Sequence, residues 1–158
     1  MKKKTIKTEK VLAAWRVLSA SKYTKLEDAD KIKVWKISRK LQPIAKKFDE
    51  DTKDAADKLK PSEDFDVRLQ NAQEYERVTK DPKADASTLK MGPSEYQQFM
   101  SDLNAYNKLV GEAVKEFAEK EVEIEIDTMS EESFGKLMNS NEWNFEQVTM
   151  LGEVIVED

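Results

Sequence analysis

The sequence predicts a mainly α protein of the α+β class. It would contain an antiparallel hairpin of two long helices, an N-terminal helix, short C-terminal helices and a small two-stranded ribbon. Three observations lead to this fold class. Two long segments carry apolar residues at steps of three or four, a spacing typical of helices with one buried stripe. One later segment alternates acidic and β-branched residues as strands do, and a basic N-terminal segment could pair with it.

The composition limits which classes of protein and of chemistry are possible for this chain. A chain of 158 residues is expected to form a single helical domain, 1–158. Charged residues make up 37% and hydrophobic residues 39%, against about 25% and about 45–50% in typical globular proteins. Cysteine and histidine are absent, so thiolate and imidazole chemistry is excluded. No phosphate-binding or hydrolase motif occurs, and we predict no enzyme, cofactor, catalytic residue or metal ligand.

The first two helices are predicted from the N-terminal third of the chain. Thr8 can cap a helix with an apolar face at Val11, Leu12, Trp15 and Leu18. The first long helix should span about 28–59. Pro43 lies inside it and removes one backbone hydrogen bond. Because the apolar period resumes in phase after the proline, a kink is favoured over a break. The stripe consists of Val34, Ile37, Leu41, Ile44, Phe48, Thr52, Ala55 and Leu59.

The second long helix is predicted from about 93 to 120, with Pro93 at its first position. Between the two long helices, 60–92 is interpreted as an irregular insertion or loop, with room for one short helix around Phe65, Leu69 and Ala72. The stripe of the second long helix consists of Tyr96, Phe99, Met100, Leu103, Tyr106, Val110, Val114 and Phe117.

The stretch "EKEVEIEID" (119–127) is predicted to be a half-buried strand, since its acidic and apolar residues alternate with a period of two. A single strand leaves its backbone groups unpaired. The basic "KKKTIK" (2–7) is the natural partner, because opposite charges on facing strands contribute about 0.2–1 kcal/mol per pair. A ribbon pairing the N-terminal segment with 121–127 follows. Asn144 and Gln147 can then open a C-terminal helix in which Phe145 packs, and the final "EVIVED" fits helix or strand.

Four carboxylates share one face of this strand: Glu121, Glu123, Glu125 and Asp127. Neighbours on a strand face lie about 6.6–7 Å apart, too far to share a cation at about 2.0–2.6 Å without other ligands. A solvated face opposite lysines is the favoured interpretation. A partner-binding surface is the second, and a metal or catalytic role the least favoured.

The three tryptophans divide into two groups. Trp15 and Trp35 lie near the apolar stripes and are expected to be core residues. Trp143, within the polar "NSNEWNFEQ", is a candidate exposed anchor for a partner, while a hydrophobic staple before Asn144 is an equal alternative.

The strongest positive stripe comprises Lys31, Lys33, Lys36, Arg39, Lys40, Lys46 and Lys47. It is interpreted as the solvated face of the first long helix. Aromatic residues for stacking bases are scarce there and the net charge is −5, so nucleic-acid binding is disfavoured. No segment approaches the length of an uncharged membrane span, and no clean apolar stretch follows "MKKK". We therefore expect no membrane association and no secretion by a signal peptide.

Three stretches of the chain resemble a group of small helix-rich proteins of tailed bacteriophages and prophages without an assigned function. They are "KKKTIKTEKVLAAWRVLS" (2–19), "KIKVWKISRKLQPIAKKFDEDTKDAADKL" (31–59), and "YNKLVGEAVKEFAEKEVEIEIDTMSEESF" (106–134) with the terminal "MLGEVIVE". The resemblance implies phage origin. It implies no activity, and it transfers no functional residues.

Two functional hypotheses follow. The first is a phage-encoded interaction or structural protein acting in particle or tail assembly, with a protein partner or further copies of itself. The second is an early phage protein that binds and inhibits a host defence or nucleic-acid-processing protein. Either would be found in the bacterial host cytoplasm, in the virion, or in both.

Overall fold

The computed structural model describes residues 1–157. The chain divides into two compact units, one made of residues 1–51 with the part from residue 115 onward, the other of residues 52–114. The predicted mainly α class with a two-stranded ribbon is confirmed. The elements are β1 (Lys2–Lys7), α1 (Thr8–Ser19), α2 (Asp28–Lys58), α3 (Phe65–Lys80), a 3-10 turn (Ala86–Thr88), α4 (Pro93–Glu119), β2 (Glu121–Ile126), α5 (Glu131–Asn139) and α6 (Phe145–Ile155).

The predicted ribbon is present, with β1 and β2 antiparallel. Its register places Lys3 opposite Glu125, Ile6 opposite Val122 and Lys7 opposite Glu121. Thr8, the first residue after β1, adds two hydrogen bonds to the segment before β2. Its backbone N–H and its hydroxyl both donate to the carbonyl of Lys120, at 2.9 and 2.7 Å. The expectation that Thr8 caps α1 was therefore wrong. The cap position belongs to Lys7, and the Thr8 hydroxyl bonds across to the ribbon instead.

The core of the first unit lies beneath the apolar face of the ribbon, where Ile124 and Ile126 are buried. Helix α1 packs against α6. Helix α2 passes through the exposed Pro43 as one helix, so the chain has no break there, in line with the preference for a kink over a break. The remaining buried members of this core are Val11, Ala14, Leu18, Leu26, Val34, Ile37, Leu41, Met129, Phe134, Leu137, Leu151, Val154 and Ile155.

The C-terminal segment combines both predicted conformations. Helix α6 ends at Ile155, and Val156 then forms a parallel bridge with Met129. Backbone bonds join Met129 N–H to the Ile155 carbonyl at 2.6 Å and Glu157 N–H to the Met129 carbonyl at 2.9 Å. The terminal Asp158 lies outside the described residues. These bonds hold the chain end on the segment that follows β2.

The second unit is built on α3 and α4. The Phe65 ring lies 5.6 Å from that of the fully buried Phe99 and 4.8 Å from that of Tyr106. Farther along α3, the Tyr75 ring stacks on the Tyr96 ring, with 4.5 Å between the ring centroids. Later residues of α3 thus meet earlier residues of α4, which makes the pair antiparallel. The short helix predicted around Phe65, Leu69 and Ala72 is present and runs to Lys80, so 60–92 is less irregular than its composition suggested. The prediction that this region is an insertion stays a prediction.

Within residues 1–157, no helix is both long enough and apolar enough to cross a bilayer.

Candidate protein-interaction surfaces

The acidic face of β2 lies opposite lysines. Lys3 Nζ is 3.5 Å from Glu123 Oε1, and the amino group of Met1 is 3.6 Å from Asp127 Oδ1. Glu125 is the cross-strand neighbour of Lys3, and Glu121 that of Lys7. Throughout residues 1–157, no group of three or more potential ligand side chains could hold a metal ion. The four predicted partner-facing acids are thus brought together on one side of the ribbon, and whether a partner binds there stays a prediction.

Lys4 behaves differently from the other lysines of β1, because it shares the inward face with Ile6. Its Nζ donates to the carbonyls of Glu153 and Val156, at 3.3 and 3.5 Å. These carbonyls lie at the C-terminal end of α6, where the helix dipole favours a positive charge. Lys10 donates to the Glu153 carboxylate at 2.6 Å. The sequence analysis treated all lysines of β1 as equivalent. The period of two of a strand nevertheless places Lys4 on the same face as Ile6, and Lys3 and Lys7 on the opposite face.

Trp35 is not a core residue, and the expectation that it would be was wrong. Its side chain is 54% exposed, as is that of Ile32. The buried stripe of α2 runs through Val34 and Ile37 instead. Trp35 follows Val34 directly and is turned about 100° from it, since the helix has 3.6 residues per turn. The Arg39 guanidinium lies 4.9 Å from the Trp35 ring centroid, in cation–π geometry.

Ile32, Trp35, Lys36, Arg39 and Lys40 form an exposed surface on α2, which we call the basic–aromatic face. Positions 32, 35, 36 and 39 fall on one side of a helix. The face borders a groove of about 390 Å³, which is lined by Met1, Lys36, Ile37, Arg39, Lys40, Ile126 and Asp127.

The charge on this face is largely uncompensated. Elsewhere in the basic stripe, Lys31 pairs with Asp28 at 3.5 Å and Lys47 with Asp51 at 2.6 Å. Among the residues that the structure describes, Lys36 and Lys40 form no ion pair. Residues 31–47 also contain no Asp or Glu. The face therefore combines exposed apolar area with cations that lack an acidic partner.

Trp143 and Phe145 flank the predicted cap of α6. The Asn144 side chain accepts from Gln147 N–H and the Gln147 side chain accepts from Asn144 N–H, so the predicted capping box is confirmed. Trp143 is half-buried against the core, 6.2 Å from the Phe134 ring. Phe145 was expected to pack, and it is 85% exposed. It occupies the first helical position, and Trp143, on the other side of the cap residue, is the aromatic side chain that packs on the core.

Asp102, one of the carboxylates of the second unit with a lowered pKa, belongs to a helix–helix contact. Arg68 of α3 donates to Asp102 of α4 at 2.8 Å. This bond, and a second from Gln98, lower the pKa of Asp102. The Tyr96 hydroxyl donates to Glu76, which raises the Tyr96 pKa. Each shift arises from a bond between side chains of α3 and α4 or within one of them. Such contacts stabilise the helix pair and do not by themselves form a catalytic arrangement.

Comparisons with protein-family models, with curated proteins and with solved structures find no match to this chain.

Proposed function

We propose that this chain is a phage-encoded, non-enzymatic interaction protein that acts in particle or tail assembly through protein–protein contacts. The observation that carries this proposal is the basic–aromatic face. There Ile32 and Trp35 are each 54% exposed, and Arg39 stacks over the indole. Tryptophan and arginine dominate the binding energy of protein interfaces. An exposed pair already stacked together is pre-ordered for docking, because less side-chain freedom remains to be lost.

An enzymatic function has less support than the proposed interaction function. The chain contains no cysteine and no histidine, which removes the usual nucleophile and the usual general base. The clustered acids of β2 face the lysines of β1 and the N-terminal amine. Carboxylates that lie beside cations on an exposed strand face are poor candidates for acid–base catalysis. The proposed contacts are with a protein partner or with further copies of the chain.

The phage assignment rests on the resemblance of the stretches 2–19, 31–59 and 106–134 to tailed-phage and prophage proteins. We place the protein in the host cytoplasm during assembly, in the virion, or in both.

Mass spectrometry of purified particles tests this proposal. The wild-type chain should be recovered at a defined copy number, and Trp35→Ala should reduce its incorporation. Val67→Ala is the matched control, because Val67 is also exposed, at 57%, and lies in the second unit. Absence of the wild-type chain from particles would overturn the assembly role.

The second candidate is an early protein that blocks a host defence or nucleic-acid-processing protein. The unpaired Lys36 and Lys40 favour it, since they would attract an acidic protein surface. Its test is affinity capture from host lysate. It predicts one host protein in stoichiometric amount, lost with Lys36→Glu, and no chain in particles. Recovery of the chain in particles together with no stoichiometric host protein would exclude this candidate.

A further inference from the structure

We propose that Phe145 of one copy of this chain docks on the basic–aromatic face of a second copy, which makes a head-to-tail contact between chains. The inference rests on the proposed assembly function and names its partner. Both surfaces belong to the first unit. They lie on different helices, with the receiving face on α2 and the inserted side chain at the start of α6.

The inserted side is an exposed aromatic ring with acidic neighbours, which we call the knob. Phe145 is 85% exposed, and Glu142 and Glu146 beside it in sequence are also exposed. The capping box of Asn144 and Gln147 fixes the backbone on which the ring stands. A backbone that is already ordered loses less freedom on docking, which favours affinity.

The receiving side has the complementary character. Ile32 and Trp35 offer apolar area, while Lys36, Arg39 and Lys40 supply positive charge around it. An aromatic ring flanked by carboxylates matches an apolar surface flanked by cations. Such complementarity steers association and fixes the orientation of the partners.

Charge also selects among the possible contacts. Two copies of the basic–aromatic face set against each other would bring Lys36, Arg39 and Lys40 close to their own counterparts, and like charges repel. A contact between two different patches avoids this repulsion. In the head-to-tail arrangement each pair of copies keeps one free knob and one free face, so repetition produces a ring or an open filament. Either product suits a repeated component of a particle or tail.

A polyanion such as nucleic acid would also be attracted to the cations. It would leave the exposed Phe145 unexplained, however, and it would meet Asp127 in the adjoining groove. The second copy accounts for both exposed aromatic surfaces of this unit at once.

The test mixes two variants of the full chain. Trp35→Ala removes the receiving surface and keeps the knob, whereas Phe145→Ala removes the knob and keeps the receiving surface. Sedimentation velocity should show self-association of the wild type. Each variant alone should associate about tenfold or more weakly, as expected for the loss of a hot-spot residue. An equimolar mixture of the two should form complexes of two chains and nothing larger, because only one intact contact is available.

Three results would overturn the contact: a wild-type chain that stays monomeric, a Phe145→Ala variant that associates like the wild type, or a mixture that stays monomeric. Circular dichroism checks that both variants fold. If either variant does not fold, Lys36→Glu and Glu146→Lys replace the two alanine variants. Each of these charge reversals keeps both aromatic rings and should weaken self-association. Unchanged self-association in both would overturn the contact.

The outcome is separable from that of the proposed function. If wild-type particles contain the chain but neither variant alters self-association, the assembly role stands and this contact is wrong. If the mixture behaves as expected but particles lack the chain, the contact stands and the assembly role is wrong. Binding of a labelled single-stranded oligonucleotide that Trp35→Ala abolishes, with no self-association, would assign the face to nucleic acid and overturn the proposal.

Discussion

Reversing two charges of the ribbon should destabilise the protein modestly and in a salt-dependent manner. The variant is Glu123→Lys with Glu125→Lys. Glu125 lies opposite Lys3, and Glu123 is 3.5 Å from the Lys3 ammonium. The double change removes these attractions and places two further cations beside Lys3. The other face of β2, which carries Ile124, stays unchanged, so the fold should persist with a looser N-terminal strand.

The size of the effect follows from the exposure of these groups. An exposed or cross-strand pair contributes about 0.2–1 kcal/mol, so the two reversals should cost about 0.5–2 kcal/mol. In a domain of this size 1 kcal/mol shifts the melting temperature by about 2–4 °C. We therefore expect a decrease of about 1–8 °C at low salt, measured by circular dichroism. Most of it should vanish in 1 M NaCl, where the screening length falls to about 3 Å.

The matched control lies on the opposite face of the same strand. Ile124 is buried, and Ile124→Ala should cost about 2–5 kcal/mol, with no comparable recovery in salt. An unchanged melting temperature for the double reversal at low salt would refute the electrostatic account of the ribbon. So would a decrease that persists in 1 M NaCl.

Two further predictions concern the second unit and α6. Asp102 has a lowered pKa because Arg68 and Gln98 donate hydrogen bonds to its carboxylate. The ionised carboxylate therefore stabilises the folded protein above the ordinary aspartate pKa of 3.8. This stabilisation is lost as the pH falls through the lower pKa that Asp102 has in the folded state. Denaturant titrations should therefore show wild type more stable than Asp102→Asn near neutral pH, with the difference shrinking in acid; a difference independent of pH would contradict this. Asn144→Ala should cost about 1 kcal/mol by removing the cap of α6, whereas equal stability in urea titrations would show that the box contributes nothing.

The ribbon was predictable because two independent signals agree there. The period of two in "EKEVEIEID" indicates a half-buried strand, and the basic segment at the other end of the chain supplies the only chemically matched partner that sequence reasoning found. The structure confirms both the partner and the face on which the acids lie. The inward position of Lys4 follows from the same alternation, but its contacts with α6 depend on tertiary packing.

The helices were predictable from their apolar stripes, while individual aromatic residues were not. Trp35 lies one residue after the buried Val34, and this single step turns it toward solvent. Phe145 directly follows the cap residue of α6 and is exposed. Periodicity predicts which face of a helix is buried. It does not predict that a large aromatic residue will lie on the exposed face. Trp35 and Phe145 are two such residues, and they are the candidate interaction residues.

Sedimentation velocity of the full chain over a concentration series, with Trp35→Ala and Val67→Ala alongside, tests most directly whether the basic–aromatic face mediates self-association. The wild type and Val67→Ala should show a sedimentation coefficient that rises with concentration, and the rise should weaken at high salt. Trp35→Ala should sediment as a monomer over the same range. A monomeric wild type, or a Trp35→Ala variant that associates like Val67→Ala, would contradict the account.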